Sequence, residues 1–326
     1  MNAPTSLSTE TTELARRAID AIINNVASVL LDKEELVRRC VCCVLAEGHL
    51  LLEDHPGTGK TTLAKALARS FGLDFGRIQF TSDMLPSDIL GVSIYDEREQ
   101  RFLFQPGPIF HQVLLADEIN RASPRTQSAL LEAMHEQTVS VDNQCHPLPR
   151  PFLVLATQNP SEFFGTYPLP ESQLDRFALR LSLGFPSIAS EKEMLRSRGR
   201  KEPVDALKAV IDAERMSQLF EAVDQVHVDD SLLDYLMAVV DELRSSPKLE
   251  LTVSTRASLS LLRVARALAL SHGRGFLLAD DLLELFVPAF AHRVRPGTSA
   301  LNAQRRSRQE SERIVTELVA KVPIPS

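Results

Sequence analysis

The sequence predicts an α/β fold, in which helices cover both faces of a parallel five-stranded sheet, followed by an all-α C-terminal domain. Up to Pro186, five short apolar runs alternate with stretches of helical periodicity, which is typical of an αβα sandwich. Beyond Pro186 only helical periodicity continues. We therefore expect a flexible N-terminus (residues 1–19), an α/β domain (20–186), a linker (187–212) and a helical domain (213–326).

The composition indicates an ordinary soluble globular protein. The 326 residues are 44% hydrophobic and 24% charged, which is enough for a sizeable buried core. The net charge of −7 gives no general electrostatic reason to bind nucleic acid, although a local basic strip would still allow it. No apolar run approaches the roughly 18 residues of a membrane span, and the N-terminus lacks the apolar core of a signal peptide. We expect no membrane span and a cytoplasmic location.

Two amphipathic helices are predicted before the first strand. Apolar residues recur at three- and four-residue spacing over residues 10–26 and 33–46. The second stretch contains Cys40, Cys42 and Cys43, whose C-x-C-C spacing is unusual for zinc and has no second cluster to complete it. We therefore favour small apolar side chains in a core over a redox or metal site.

Residues 50–62, LLLEDHPGTGKTT, predict a strand, a tight loop and the start of a helix. Glycines let backbone N–H groups approach phosphate oxygens, and the helix N-terminus adds partial positive charge. Lys60 would reach the β- and γ-phosphates of a nucleotide, and Thr61 would bind Mg²⁺. The alternative is a glycine-rich turn without a ligand. The candidate nucleotide-binding residues are Asp54, His55, Pro56, Gly57, Thr58, Gly59, Lys60, Thr61 and Thr62.

This loop departs from the G-x-x-x-x-G-K-[ST] pattern at one position. The first glycine of the pattern falls on Asp54. Because Asp tolerates a left-handed backbone better than most residues, we expect the turn to survive the change.

A second strand is predicted at residues 77–80, and two hairpins follow it along the chain. The first has β-prone arms at residues 91–95 and 100–104 around a charged tip, and the second covers residues 138–151. The charged tip of the first hairpin, residues 96–100, contains no residue that nucleotide chemistry requires.

An acidic pair follows the next apolar run, residues 113–116. In a parallel sheet the ligand crevice lies at the carboxyl ends of the strands, which is where Asp117 and Glu118 fall. Asp117 would hold the Mg²⁺ shell, and Glu118 would act as general base toward the attacking water. The alternative for Asp117 is an acidic helix cap.

Two further polar residues flank the last two predicted strands. Asn159 follows the strand at residues 152–157, where it could orient water or contact a γ-phosphate, although Asn-Pro is equally an ordinary turn signal. Arg176 precedes the strand at residues 178–183, a position in which a lone arginine usually forms a surface ion pair.

The C-terminal part is predicted to be a helical bundle. Helical periodicity covers residues 213–226, 230–244, 254–271 and 279–290. The charged tail, residues 304–322, is either a final helix or a solvated arm.

Taken in order, these features resemble the AAA+ ATPases and, more narrowly, the MoxR family. The resemblance covers about residues 20–295 and is carried by HLLLEDHPGTGKT, ADEINRASPRTQSALLEAMHEQ, ATQNP, GTYPLPESQLDRF and STRASLSLLRVARALA. It implies a P-loop AAA+ fold with a helical lid, binding of ATP and Mg²⁺, and a homo-oligomer, a hexameric ring in this family. It also implies that Asn159 is the sensor-1 residue, Arg176 an arginine finger acting on a neighbouring subunit, and Arg256 the sensor-2 arginine.

Two positions depart from the family pattern. Asp32 stands where the family usually has a glycine close to adenine. TVSTR, residues 252–256, replaces the usual Gly-Ala-Ser-Pro-Arg, so Arg256 is kept without its glycine and proline.

Three functions remain open from the sequence. The resemblance implies an ATP-hydrolysing remodeller of client proteins, typically proteins with a von Willebrand A domain, with assembly, activation or metal and cofactor insertion as the outcome. The first alternative is a nucleotide-gated switch with slow hydrolysis, which the presence of Glu118 disfavours. The second is a nucleic-acid motor, which the acidic composition disfavours.

Overall fold

A parallel five-stranded sheet forms the centre of the computed structural model, which describes residues 7–159, 165–197, 203–297 and 304–325. Its strand order is β2-β5-β8-β1-β9, with every neighbouring pair parallel. The strands of the protein are β1 (His49–Glu53), β2 (Phe75–Gln79), β3 (Gly91–Asp96), β4 (Arg101–Pro106), β5 (Val113–Asp117), β6 (Thr138–Val141), β7 (Gln144–Pro147), β8 (Leu153–Gln158), β9 (Phe177–Leu181), β10 (Leu249–Leu251) and β11 (Arg295–Pro296).

Helices cover both faces of this sheet and form the C-terminal part. They are α1 (Thr9–Ala27), α2 (Glu34–Leu45), α3 (Lys60–Phe71), α4 (Pro86–Leu90), α5 (Pro124–Glu136), α6 (Glu171–Leu174), α7 (Ile188–Ser197), α8 (Ala213–Gln225), α9 (Asp230–Ser245), α10 (Thr255–Ser271), α11 (Ala279–Phe290) and α12 (Gln304–Val319). Among the described residues, the predicted αβα sandwich and all-helical C-terminal part are both confirmed.

Successive side chains along each strand point to opposite faces of the sheet, and each face contributes to a separate apolar core. Leu50 and Leu52 point to the side of α1, α2 and α3, whereas Leu51 points to the side of α5. The first core is continuous with the buried faces of α8 to α12, and α10 packs directly on α2. An ion pair of 2.7 Å between Arg39 Nε and Glu284 joins α2 to α11 across the same contact. The C-terminal helices are therefore packed against the N-terminal helices and the sheet.

Both ends of the described chain are helical. The helix predicted at residues 10–26 is present as α1, and the expected flexible N-terminus (residues 1–19) was drawn too long, because Ser8 caps the helix and Ala15 and Ile19 are buried against the core. The charged tail is the helix α12 rather than a solvated arm, with Ile314, Val315 and Leu318 buried. In the predicted linker, residues 188–197 form α7, while residues 198–202 lie outside the described part of the chain, as do residues 1–6.

The three clustered cysteines are core residues. Cys40, Cys42 and Cys43 are fully buried, and burial raises the pKa of the Cys40 and Cys42 thiols to about 12. Among the described residues no group of three or more metal-ligating side chains is placed to hold a metal ion. The core interpretation is confirmed.

Both predicted hairpins are present, as β3–β4 and β6–β7. They touch each other through stacked rings, with 3.9 Å between the centroids of Phe104 and His146. The small antiparallel pair β10–β11 was not predicted. No described helix combines the length and apolar character that a membrane span needs.

Candidate active site

The phosphate loop joins β1 to α3. Gly57 and Gly59 adopt left-handed backbone angles (φ +83° and +96°), which favour glycine. A Cβ placed on Gly57 would meet nothing within 4 Å, so the space beside this glycine is open. Gly59 is the N-cap of α3, whose first backbone N–H groups therefore have no partner within the helix. The loop has the shape and the donors of an anion-binding site.

Lys60 is folded back onto its own loop. Its Nζ donates to the carbonyl oxygens of Asp54 (2.8 Å) and His55 (3.0 Å). Burial lowers the pKa of Lys60, while the negative charges of Asp54, Asp117 and Glu118 oppose that shift. The acidic pair at the end of β5 thus lies within electrostatic reach of the lysine, as the parallel sheet predicted.

Asp54 is compatible with the phosphate loop, but not because it tolerates a left-handed backbone, as the sequence predicted. Its φ is not positive, so left-handed tolerance is not what the residue supplies. Instead its buried carboxylate accepts hydrogen bonds from the Ser182 hydroxyl (2.8 Å) and from the backbone N–H groups of Leu183 (2.5 Å) and Gly184 (3.1 Å). Asp54 therefore fixes the loop to the segment that follows β9.

Asp117 ends β5 and is only 13% exposed as a side chain. Its Oδ1 accepts from the Thr157 hydroxyl at 2.6 Å, and its Oδ2 pairs with Arg77 at 2.7 Å. The Thr157 hydroxyl oxygen also accepts from the backbone N–H of Glu118 at 2.8 Å. A single threonine on β8 thus positions both acidic residues.

Glu118 has a left-handed backbone (φ +57°, ψ +47°), which is uncommon for a residue with a Cβ. Its carboxylate accepts from Gln79 Nε2 at 2.7 Å and lies 3.3 Å from Arg121 Nε. Side-chain contacts from β2 and from the following turn therefore restrain the proposed base.

Asn159 is buried and directly follows β8, which pairs with β1 through Glu53 and Gln158. The ends of β1, β5 and β8 therefore bring together the phosphate loop, the acidic pair and Asn159. Sequence reasoning missed Arg77, Gln79 and Thr157. Gln79 carried the same signal as Asn159, a polar residue at the carboxyl end of a strand, but Thr157 was hidden inside an apolar run.

The oxygen donors fit Mg²⁺, which prefers carboxylate and hydroxyl ligands together with phosphate. Thr61 is the second residue of α3 and follows the phosphate loop, and Asp117 ends β5, which is separated from β1 by β8 alone. Thr61 and Asp117 would therefore hold the ion.

Arg176 and Arg256 lie at the opposite ends of the strands, where the parallel strands begin (the amino edge of the sheet). His49 begins β1, and its Nε2 donates to the Met134 carbonyl near the end of α5. At this same end of α5, Arg176 donates to the Leu131 carbonyl at 2.5 Å, and Arg256 contacts the ring of His135. Five-residue β1 separates this edge from the phosphate loop by roughly 13 Å.

The two arginines influence each other and lack carboxylate partners. Burial lowers the pKa of Arg176, and the nearby positive charge of Arg256 lowers it further. Among the described residues, neither guanidinium forms a direct ion pair, and the buried Nε of Arg176 has no hydrogen-bond partner. The carboxylates of Glu132, Glu136 and Asp175 oppose both effects without pairing directly with Arg176. The two arginines therefore place positive charge at a site remote from the chain's own loop.

Asp32 adopts the backbone conformation that the usual glycine at this position would allow. Asp32 has the left-handed φ (+60°) that a glycine would supply. Its carboxylate accepts from the hydroxyls of Ser187 (2.5 Å) and Ser190, at the start of α7. Nearby, His55 stacks on the exposed ring of Phe185, with centroids 6.3 Å apart.

Comparisons with known proteins agree with this geometry. Residues 49–179 match the family "ATPase family associated with various cellular activities (AAA)", and residues 241–318 match the AAA lid domain. The chain is 43% identical over 303 residues to the uncharacterized protein YeaC of Bacillus subtilis, covering 93% of each. It is 38% identical over 285 residues to chaperone MoxR1 of Mycobacterium tuberculosis, covering 85% of this chain and 75% of MoxR1. A crystal structure of a candidate ATPase from Cytophaga hutchinsonii superposes with a TM-score of 0.84 at 34% identity, covering 97% of this chain and 98% of that one.

Proposed function

The chain belongs to the MoxR family of AAA+ ATPases, and on that basis we propose that it hydrolyses ATP to ADP and phosphate in order to remodel partner proteins. The observation that carries the proposal is the convergence of Lys60, Asp117 and Glu118 at the carboxyl ends of β1 and β5, which flank β8. An isolated glycine turn would not need an acidic pair beside it, nor a lysine held at the loop.

Binding begins at the loop. Lys60 would exchange the carbonyl oxygens of Asp54 and His55 for the β- and γ-phosphates, and the free N–H groups at the start of α3 would add donors. Thr61 and Asp117 would hold Mg²⁺, which neutralises phosphate charge when bound.

Glu118 would then accept the proton of the attacking water as general base. Its restraint by Gln79 must be released or redirected for the carboxylate to face that water. Asn159, buried at the next strand end, would orient the water or the γ-phosphate.

Arg176 and Arg256 would complete the site of a neighbouring copy. Their positive charge lies at the amino ends of the strands, too far from the chain's own loop, which supports a role toward the γ-phosphate bound by a neighbouring copy. We propose a homo-oligomer, a hexameric ring, in which each nucleotide lies between two subunits.

The β3–β4 hairpin is the proposed contact for clients, which in this family are typically proteins with a von Willebrand A domain. Its outer part exposes apolar rings, Tyr95 and Phe102, that pair edge to face with centroids 5.3 Å apart. Exposed aromatic side chains on a hairpin indicate a protein-binding surface rather than a loop that only connects two elements of the chain. Similarity to chaperone MoxR1 supports a chaperone-like role.

Two substitutions test the proposal by separating binding from turnover. Lys60→Ala should abolish productive ATP binding because it removes charge from the phosphate site, whereas Glu118→Gln should bind ATP normally and stop phosphate release. Glu214→Gln, an exposed change of the same kind in α8, is the matched control. Normal turnover by Glu118→Gln in a phosphate-release assay would refute the assigned base.

A further inference from the structure

Asp117 is held from β2, an edge strand of the sheet. The Arg77 guanidinium pairs with Asp117 Oδ2 at 2.7 Å, while the Thr157 hydroxyl occupies Oδ1. Both carboxylate oxygens of this metal-binding candidate therefore already have partners. Arg77 is 47% exposed and Asp117 is 13% exposed, so the arginine approaches the acid from the solvent side.

Arg77 is fixed in this position by a second contact. The same guanidinium nitrogen donates to Gln79 Oε1 at 3.0 Å, and Gln79 in turn donates to Glu118. Residues 77 and 79 lie on one face of β2 because side chains two apart share a face. The arginine is thus directed along the sheet edge toward the acidic pair.

Strand pairing does not require this ion pair. β2 and β5 are already joined by a parallel register that runs from Phe75 and Val113 to Gln79 and Asp117. The ion pair between Arg77 and Asp117 therefore places a positive charge beside the acid and is not needed to join the two strands.

We propose that Arg77 competes with Mg²⁺ for Asp117 and so acts as a positioning residue that sets how strongly nucleotide binding depends on the metal. The proposal rests on the proposed function, since it concerns Mg²⁺ bound with ATP. Arginine cannot discharge at physiological pH, so its positive charge opposes a divalent ion beside the same carboxylate. Its exposed stem allows it to swing into solvent when the ion enters, while Thr157 keeps Asp117 in place.

The size of the effect follows from charge separation. A unit positive charge and a divalent cation about 5 Å apart in a water-like dielectric repel each other enough to change the affinity for Mg²⁺ on the order of tenfold. Removing the arginine charge should therefore make nucleotide binding depend about tenfold more strongly on Mg²⁺.

The test measures Kd for a fluorescent, non-hydrolysable ATP analogue with Mg²⁺ and again with EDTA. The ratio of the two values isolates the metal contribution, because any general attraction between Arg77 and phosphate affects both measurements and cancels. Three variants are compared with the unaltered protein: Arg77→Gln, Arg77→Lys, and Arg17→Gln. The last removes an exposed arginine that pairs with Glu13 on α1, away from the site.

Arg77→Gln should raise the EDTA-to-Mg²⁺ ratio about tenfold, while Arg77→Lys and Arg17→Gln should leave it near that of the unaltered protein. An unchanged or smaller ratio in Arg77→Gln, with an unchanged thermal unfolding midpoint, would overturn the proposal and leave the nucleotide site intact. If Arg77→Gln fails to fold, Arg77→Met removes the same charge and should give the same rise, and an unchanged ratio in that variant would overturn the proposal. If the unaltered protein binds the analogue in neither condition, the proposed function fails and the inference falls with it.

Discussion

Asp54 connects the phosphate loop to the segment after β9 by three hydrogen bonds. Asp54→Gly would restore the usual glycine of the loop pattern but leave the backbone N–H groups of Leu183 and Gly184 without their acceptor. At about 1 kcal/mol for each lost bond, we expect the free energy of unfolding to fall by about 2–3 kcal/mol.

Urea unfolding measures this change, with Asp54→Asn as the control because its amide oxygen can still accept. Asp54→Gly should be the less stable of the two. Equal stability of Asp54→Gly and the unaltered protein would show that the three hydrogen bonds are not needed.

His49 makes the protein sensitive to mild acid. The ring is buried, accepting from the Val154 N–H at Nδ1 and donating from Nε2 to Met134, and burial lowers its pKa to about 4 from 6.5. The unfolded chain therefore binds a proton that the folded chain excludes between these pH values. Stability should be unaffected by His49 above pH 6.5 and should fall by about 1.4 kcal/mol per pH unit as the pH drops from 6.5 toward 4.

Unfolding free energies measured across pH 4–8 check this slope. His49→Gln should reduce the slope between pH 4 and 6.5, whereas His272→Gln, at an exposed position, should not. His292 is also buried, and desolvation lowers its pKa. It therefore adds a second loss of stability on acidification, which His49→Gln leaves unchanged. An unaltered slope in His49→Gln would contradict the assignment.

At the residue scale, the chemical roles were easier to predict than the contacts that position them. Gly57, Lys60 and Asp117 belong to short local patterns, so their chemistry is visible in the sequence. The partners of Asp54 lie about 130 residues away along the chain, and those of Asp117 come from β2 and β8. Such contacts depend on strand order, which a local pattern does not determine.

The β3–β4 hairpin is the element whose loss should separate ATP chemistry from client work. Its tip is exposed, and Phe102 is 70% exposed although it lies in a regular strand. Shortening residues 93–104 to a tight turn should leave basal ATP turnover and oligomer size nearly unchanged and abolish stimulation by a partner.

The partner can be isolated with the Glu118→Gln variant as bait. Phe102→Ser provides a milder change that preserves the hairpin, and it should reduce stimulation in the same assay. A shortened variant that still activates its partner at the normal rate would count against this role.

At the element scale, strands and helices with regular apolar spacing were predicted to within a few residues. α10, for example, was expected at residues 254–271 and covers Thr255–Ser271. α7 falls in the predicted linker, since residues 190–203 are charged and only loosely helical in pattern. In the structure its apolar residues Ile188 and Leu195 are exposed, so no buried stripe marks the helix. β10–β11 escaped prediction because its two short strands are far apart in sequence.

At the scale of the whole molecule, the two halves of the proposed catalytic site lie apart. The carboxyl edge of the sheet holds Lys60, Asp117 and Glu118, and the amino edge holds Arg176 and Arg256. This arrangement could not be predicted from the order of the motifs, because Arg256 reaches the amino edge only through the packing of α10 against α2 and the sheet. The central claim is that two copies of the chain are needed for one complete site.

Phosphate release by mixtures of Lys60→Ala and Arg176→Ala proteins tests this claim most directly. Each variant alone should be inactive, since an arginine finger contributes on the order of 10³ or more in rate. In an equal mixture about a quarter of the interfaces should join an intact loop to an intact Arg176, so about a quarter of normal turnover should return. Mixing Lys60→Ala with the double variant Lys60→Ala/Arg176→Ala is the matched control and should recover nothing. Inactivity at every mixing ratio, with mixed oligomers shown to form, would contradict the shared site.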